Sequence, residues 1–245
     1  KYRSIFNTGS WGFNWGLTKK LLQLGTPSGV FVTLDLLAWS IFYIFMKDIS
    51  EEHMLIAGLC HTVLSMCYFY GLGLEKGAAA ASGNLVGAKC FSEVVQVFYS
   101  GLVLILLFSF LGATLFHFYV GDLIDFFIYN EWNSSPLSKL MDYADIKLKL
   151  QKTFLIVGSY LIIDNVRLLI YGILTGVGDT FFIMLLGLTR TWMWMLLPTY
   201  FIIILPKGSI EDAYYIWIVS SLAALFFALV RLFKGHWQAK RVVNQ

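Results

Sequence analysis

Six times along this chain an apolar stretch reaches or passes the length needed to cross a bilayer, and that constrains the fold more than anything else in the sequence. A helix rises about 1.5 Å per residue, so about twenty apolar residues cover the roughly 30 Å hydrocarbon core. The predicted spans are about 18–46, 53–86, 94–120, 152–174, 181–205 and 210–233. Composition agrees: 58% of residues are hydrophobic and 13% charged, against about 25% charged in ordinary soluble domains, and the mean hydropathy is +0.71. The expected fold class is all-α: a polytopic membrane protein with six transmembrane helices forming one lobe.

The net charge of +3 is small and forms no basic stripe, so the lipid bilayer is an expected partner and nucleic acid is not. Cys60, Cys67 and Cys90 have no metal or redox spacing and read as small buried hydrophobes. Residues 1–17, with Trp11, Phe13 and Trp15 among small and polar neighbours, suit either an interfacial segment or a linker. Residues 18–235 form the lobe and 236–245 a tail. The first residue is Lys1 rather than Met, so the chain reads as the later part of a longer one.

Basic residues mark one side of the six spans: Arg3, Lys19, Lys20, Lys89, Arg231, Lys234, Lys240 and Arg241. Acidic loops at Glu51–Glu52, Asp122 to Asp145 and Glu211–Asp212 mark the other. The positive-inside rule puts both termini in the cytoplasm. Residues 121–149 read as a long polar connection.

Charges inside the spans are the candidates for function. A carboxylate at mid-membrane costs roughly 2.5–3.5 kcal/mol on insertion scales, so each one needs a reason. Asp164 lies in the middle of the fourth span and Asp35 in the middle of the first. A carboxylate in low dielectric resists ionisation and can trade a proton between the two sides, or it can hold Na⁺ with neighbouring oxygens. Tyr160, one turn before Asp164, and adjacent Asn165 are the polar groups to complete such a site. The alternative is a structural pair of Asp164 with Arg167, three residues on. His61, Glu75 and Arg190 are further candidates for a relay or for substrate contact. Glu75 and Lys76 face different sides of a helix, so each is expected to find another partner or water.

The stretch Gly176-Val177-Gly178-Asp179 raises an enzymatic alternative. Intramembrane aspartyl proteases use Gly-x-Gly-Asp with a Tyr-Asp pair on the preceding helix. Here the preceding acid is in Ile163-Asp164, and no Pro-Ala-Leu follows. Asp179 is expected instead to cap the fifth helix, and no enzyme is expected.

Gly25-Thr26-Pro27-Ser28-Gly29 followed by Asp35, then Ala81-Ser82-Gly83-Asn84-Leu85-Val86-Gly87-Ala88, then Asp164 followed by Gly172-Ile173-Leu174-Thr175-Gly176-Val177-Gly178-Asp179-Thr180, resemble in order and spacing the C-terminal lobe of MATE (multidrug and toxic compound extrusion) transporters. Asn7-Thr8-Gly9-Ser10-Trp11 is similar to the linker between that family's lobes. The resemblance implies twelve helices in two six-helix lobes and an antiport in which H⁺ or Na⁺ entry drives organic cations or drugs out. It implies a partner lobe, from the same chain or a second copy, and location in the cytoplasmic (inner) membrane. It implies no cofactor beyond the coupling ion, with Asp35, Asp164 and Tyr160 as the ion-binding residues. The chain departs from the family pattern at Thr175, where Arg is common, and at Glu75-Lys76, in place of a Pro-containing stretch. The runner-up is a lipid-linked saccharide flippase of the same broad superfamily, which needs a cationic cavity; Arg167, Arg190 and Lys76 are the candidates for it.

Overall fold

The computed structural model describes residues 12–134 and 142–235. Most of the 1–17 segment and the whole 236–245 tail lie outside them, as do Arg3, Lys240 and Arg241. The described residues are helical apart from short turns. The six spans are α1 (Trp15–Ile49), α2 (Glu51–Gly87), α3 (Val94–Ser134), α4 (Tyr143–Gly176), α5 (Thr180–Ile204) and α6 (Ile210–Phe233). A single 3₁₀ turn, Phe91–Glu93, leads into α3. All six are long and apolar enough to cross a membrane, so the all-α, six-span expectation holds.

Capping residues fall where the sequence changes from polar to apolar. Asn14 accepts from the Leu17 N–H at 3.1 Å and starts α1. Ser50 both ends α1 and starts α2, accepting from the His53 N–H at 3.2 Å. Ser209 does the same for α6 through Asp212. Each side-chain oxygen satisfies one of the N–H groups that a helix start leaves unpaired. His53 contacts the Ser50 hydroxyl at 2.8 Å and the Gly208 carbonyl oxygen at 3.2 Å, joining the α1–α2 and α5–α6 turns on one face of the lobe.

The connection expected over 121–149 is largely helix. α3 continues to Ser134 and α4 begins at Tyr143. Residues 121–134 contain no proline, and polar residues do not end a helix whose backbone bonds are internal. Ionic contacts also hold these ends together. Lys147 donates to both Asp125 oxygens at 2.7 and 2.8 Å, and Tyr143 donates to the same carboxylate. Lys149 reaches Glu52 at 2.6 Å and Asp145 at 2.7 Å. The Lys147 hydrogen bond and, after it, that of Tyr143 hold the Asp125 carboxyl below its usual range.

α4 is the hub. Its broadest seam is with α2, the next with α6, and α3 and α5 also touch it. Glycine makes the α2–α4 seam close. A Cβ at Gly172 would stand 2.2 Å from the Glu75 carbonyl oxygen, and one at Gly176 would stand 2.3 Å from that of Ala79. Helices in lipid lack a hydrophobic drive to pair, so such backbone approach supplies the van der Waals contact that holds them. α1 is attached differently. Only Ala38, Phe42 and Met46 in its C-terminal half are buried, while Leu17, Leu21 and Leu22 are open.

Glu75 and Lys76 do pair, against expectation, with Nζ 3.0 Å from Oε1. The lysine stem is long and flexible enough to reach its neighbour, and its side chain remains 74% exposed. An ion pair so open to its surroundings contributes little.

Candidate functional site

The fifth span carries the residues that connect the two membrane acids. It starts as α-helix over Thr180–Leu188, widens to π-helix over Thr189–Leu196, and widens again over Tyr200–Ile204. Pro198 lies between the two wide stretches. Proline removes one backbone donor and crowds the carbonyl four residues back, and wide turns are one way for a helix to absorb that. The first wide stretch holds Arg190 and Thr191 side by side. Arg190 turns toward α4 and α6, and Thr191 turns toward α1.

On the α4 side, Asp164 is 1% exposed. Arg167 grips it with both prongs of the guanidinium, Nε to Oδ1 at 2.8 Å and Nη2 to Oδ2 at 2.9 Å. The Ser221 hydroxyl of α6 donates to Oδ1 at 3.2 Å. Arg190 adds a second positive charge, its Nη1 3.6 Å from the same Oδ1 and donating to the Ser221 Oγ at 3.1 Å. Arg167 and Arg190 are 2% and 3% exposed. Arg167 also lies over the Tyr171 ring, 4.6 Å from its centroid. The structural pair considered from the sequence is therefore present, and a second arginine joins it.

On the α1 side, Asp35 is half-buried. Thr191 donates to its Oδ1 at 2.7 Å and the Trp39 indole N–H donates to Oδ2 at 3.1 Å. Among the described residues no Lys, Arg or His nitrogen lies within 4 Å of this carboxylate. The Trp39 ring packs edge-on against Trp217, centroids 4.6 Å apart, and Tyr160 packs against the same Trp217 at 5.6 Å. Aromatic rings thus stand between Asp35 and Tyr160, while Arg190–Thr191 bridges Asp35 and Asp164.

The remaining sequence candidates are dispersed. Asn165 turns away from Asp35 and packs on α2, where a Cβ at Gly71 would stand 2.1 Å from its Oδ1. Adjacent residues on a helix point about 100° apart, which separates Asn165 from Asp164. His61 is exposed on α2, its ring near Trp39 at 5.9 Å and Tyr43 at 5.5 Å, so it reaches Asp35 only through the indole. Thr191, Ser221 and Trp39 are the contributors that sequence reasoning passed over. A threonine next to an in-span arginine, and Ser220-Ser221 within an apolar span, were the available signals.

As placed, Asp164 does not fit a Na⁺. Both oxygens already accept from a guanidinium, and Arg190 supplies a second positive charge. Like charges 4 Å apart repel by about 4 kcal/mol at an effective dielectric of 20. Among the described residues no group of three or more His, Cys, Asp or Glu could hold a metal ion. The same pairing takes Arg167 and Arg190 away from any pyrophosphate.

Asp179 does not cap α5 with its side chain. Arg231 of α6 draws the carboxylate away at 2.6 Å, and that guanidinium lies 5.1 Å from the Phe182 ring centroid. An aspartyl protease needs two carboxylates sharing a proton. Here Asp164 and Asp179 are each held by an arginine of their own.

The MatE family model matches residues 27–201, which include both acids, the Gly-Val-Gly-Asp turn and the Arg190–Thr191 bridge. The chain belongs to the MatE family. A "Probable multidrug resistance protein NorM" of Rhizobium meliloti (strain 1021) is 22% identical over 188 residues, covering 74% of this chain and 37% of that relative. Proteins with the same description from Bacillus thuringiensis subsp. konkukian (strain 97-27) and Bacillus anthracis are each 24% identical over 219 residues, covering 88% of this chain and 45% of theirs. A solved structure described as the outward-facing conformation of a multidrug resistance MATE family transporter of the MOP superfamily superposes with a TM-score of 0.69 at 17% identity, over 92% of this chain and 46% of that one. That likeness establishes the MATE fold. This MatE chain is a multi-pass membrane protein and spans less than half the length of the relatives it matches.

Proposed function

We propose that this chain is one lobe of a secondary active antiporter that exports organic cations or drugs in exchange for H⁺ or Na⁺. The lobe works against a second six-helix lobe, from the same polypeptide or another copy. It sits in the cytoplasmic (inner) membrane with both termini on the cytoplasmic side. Family membership and the multidrug-resistance descriptions of the relatives support the class of function. Lys19, Lys20, Lys89, Arg231 and Lys234, set against Glu51, Glu52, Asp142, Asp145, Glu211 and Asp212, support the orientation.

The observation that carries the coupling is the state of Asp35. It is a half-buried acid near the middle of α1, held by two neutral donors and by no cation within 4 Å among the described residues. An ionised carboxylate only accepts hydrogen bonds; once protonated, it has a donor of its own to place. Taking up a proton therefore weakens the fit to Thr191 and Trp39 and loosens α1 against α5. Pro27, eight residues before Asp35, gives α1 a point at which to bend. Tyr160 and Asp164 belong to the same device as the fixed side against which α1 moves. Loosening α1 in step with proton entry is what a rocking-lobe exchanger requires. The test is Asp35→Asn in vesicles. Efflux of a cationic dye driven by a pH or Na⁺ gradient is expected to fall at least to about a tenth, within the roughly 5–150-fold range of a coupling free energy, with membrane insertion unchanged. Undiminished coupled efflux rejects the reading.

A further inference from the structure

We propose that Arg190 is a tethered counter-cation: with Arg167 it fills the space a Na⁺ would need at Asp164, and it leaves Asp35 as the lobe's ion-exchanging carboxylate. The inference deepens the antiporter reading and takes the site from it.

Three observations converge on Arg190. Its Nη1 is within ion-pair reach of Asp164, yet at 3.6 Å it is too far for a hydrogen bond, while Arg167 donates to both oxygens. Its Nε is buried with no hydrogen-bond partner. Buried guanidinium donors are normally satisfied, so this arginine is held by charge and position more than by a complete set of bonds. It also sits in a π-helical stretch, where the neighbouring Thr191 grips Asp35.

The charge balance gives these facts their meaning. Two guanidiniums against one carboxylate leave the sealed cluster with an excess positive charge. The ionisable groups around Arg190 are Asp164, Arg167, Asp35 and the tyrosines Tyr68, Tyr160 and Tyr171. The other groups on Asp35 are Trp39 and Thr191, with His61 behind the indole. Asp35 is therefore the carboxylate that offsets Arg190 when ionised, and the offset is lost when it is protonated. An external cation at Asp164 has no charge left to neutralise.

The purified protein can be melted in detergent in sodium chloride and in choline chloride at equal ionic strength. A ligand at a hundredfold excess over its Kd raises the melting temperature of a chain this size by roughly 5–10 °C. The wild type is expected to show no Na⁺-specific rise that depends on Asp164. Arg190→Gln, which frees one side of Asp164, is expected to gain one. A Na⁺-specific rise in the wild type that Asp164→Asn removes overturns the proposal. One that Asp164→Asn leaves intact belongs to another site and supports it. A flat response in Arg190→Gln overturns the role given to Arg190. Should Asp164→Asn fail to fold, the double variant Asp164→Asn with Arg190→Gln, which removes one charge of each sign, reports in its place. Efflux under neither a pH nor a Na⁺ gradient rejects the antiporter instead, and the melting result still decides the fate of Arg190.

Discussion

Asp35 and Asp164 are the same side chain in the same kind of setting, each near the middle of an apolar span, and the fold treats them in opposite ways. Asp164 lies on the hub helix, sealed from solvent and held by two arginines and a serine. Asp35 lies on the loosely attached α1, half-open and held by a threonine and an indole. An acid within the membrane is evidence of cost, and what offsets the cost decides its use. Guanidiniums hold one acid from both sides. Neutral donors hold the other, with no Lys, Arg or His nitrogen within 4 Å among the described residues.

The comparison is broken most directly at Asp164. Replacing it with Asn strands Arg167 and Arg190 without their counter-charge, and breaking a buried pair in this way costs about 3–5 kcal/mol. The expected result is a large drop in melting temperature or loss of folded protein in detergent. The packing around the two acids can be compared next. Gly172→Ala pushes a methyl group into the Glu75 backbone on the α2–α4 seam, and overpacking of this kind costs about 1–3 kcal/mol. Gly25→Ala on α1 meets nothing within 4 Å and should raise stability by up to about 1 kcal/mol through helix propensity. Equal responses in a thermal-shift assay would erase the distinction between hub and periphery.

Thr191→Val removes one donor from Asp35, and such a bond is worth about 1 kcal/mol. Under the proposed antiport its larger effect is expected on the rate of gradient-driven efflux, since the contact joins α1 to α5. A variant that loses stability but keeps its full rate would confine Thr191 to packing.

The smallest effect is expected at the exposed end of α3. The Asp125 carboxyl is held below its ordinary range by Lys147 and Tyr143. A lowered folded-state value contributes stability above the unfolded Asp value of about 3.9, and the contribution is lost as pH falls through the lower folded value. The melting-temperature gap between wild type and Lys147→Gln should therefore be small near neutrality and close at acid pH.

Much of the architecture is legible without coordinates. Bilayer thickness imposes a length on every span, and the six apolar runs meet it wherever their neighbours lie. Ser50 and Ser209 mark helix starts because capping is a local matter of one side chain and the next few N–H groups. The boundary after the third span is different: the sequence turns polar at residue 121, while the helix runs on to Ser134 under its own hydrogen bonds. Locally, Asp35 and Asp164 are also identifiable as deep acids. Arg167, three residues on, supplies the local part of the lock on Asp164, and the rest comes from Arg190 and Ser221, 26 and 57 residues away in sequence. Ion pairing acts over a few ångströms of space, and only the packing of α5 and α6 against α4 brings those groups within range.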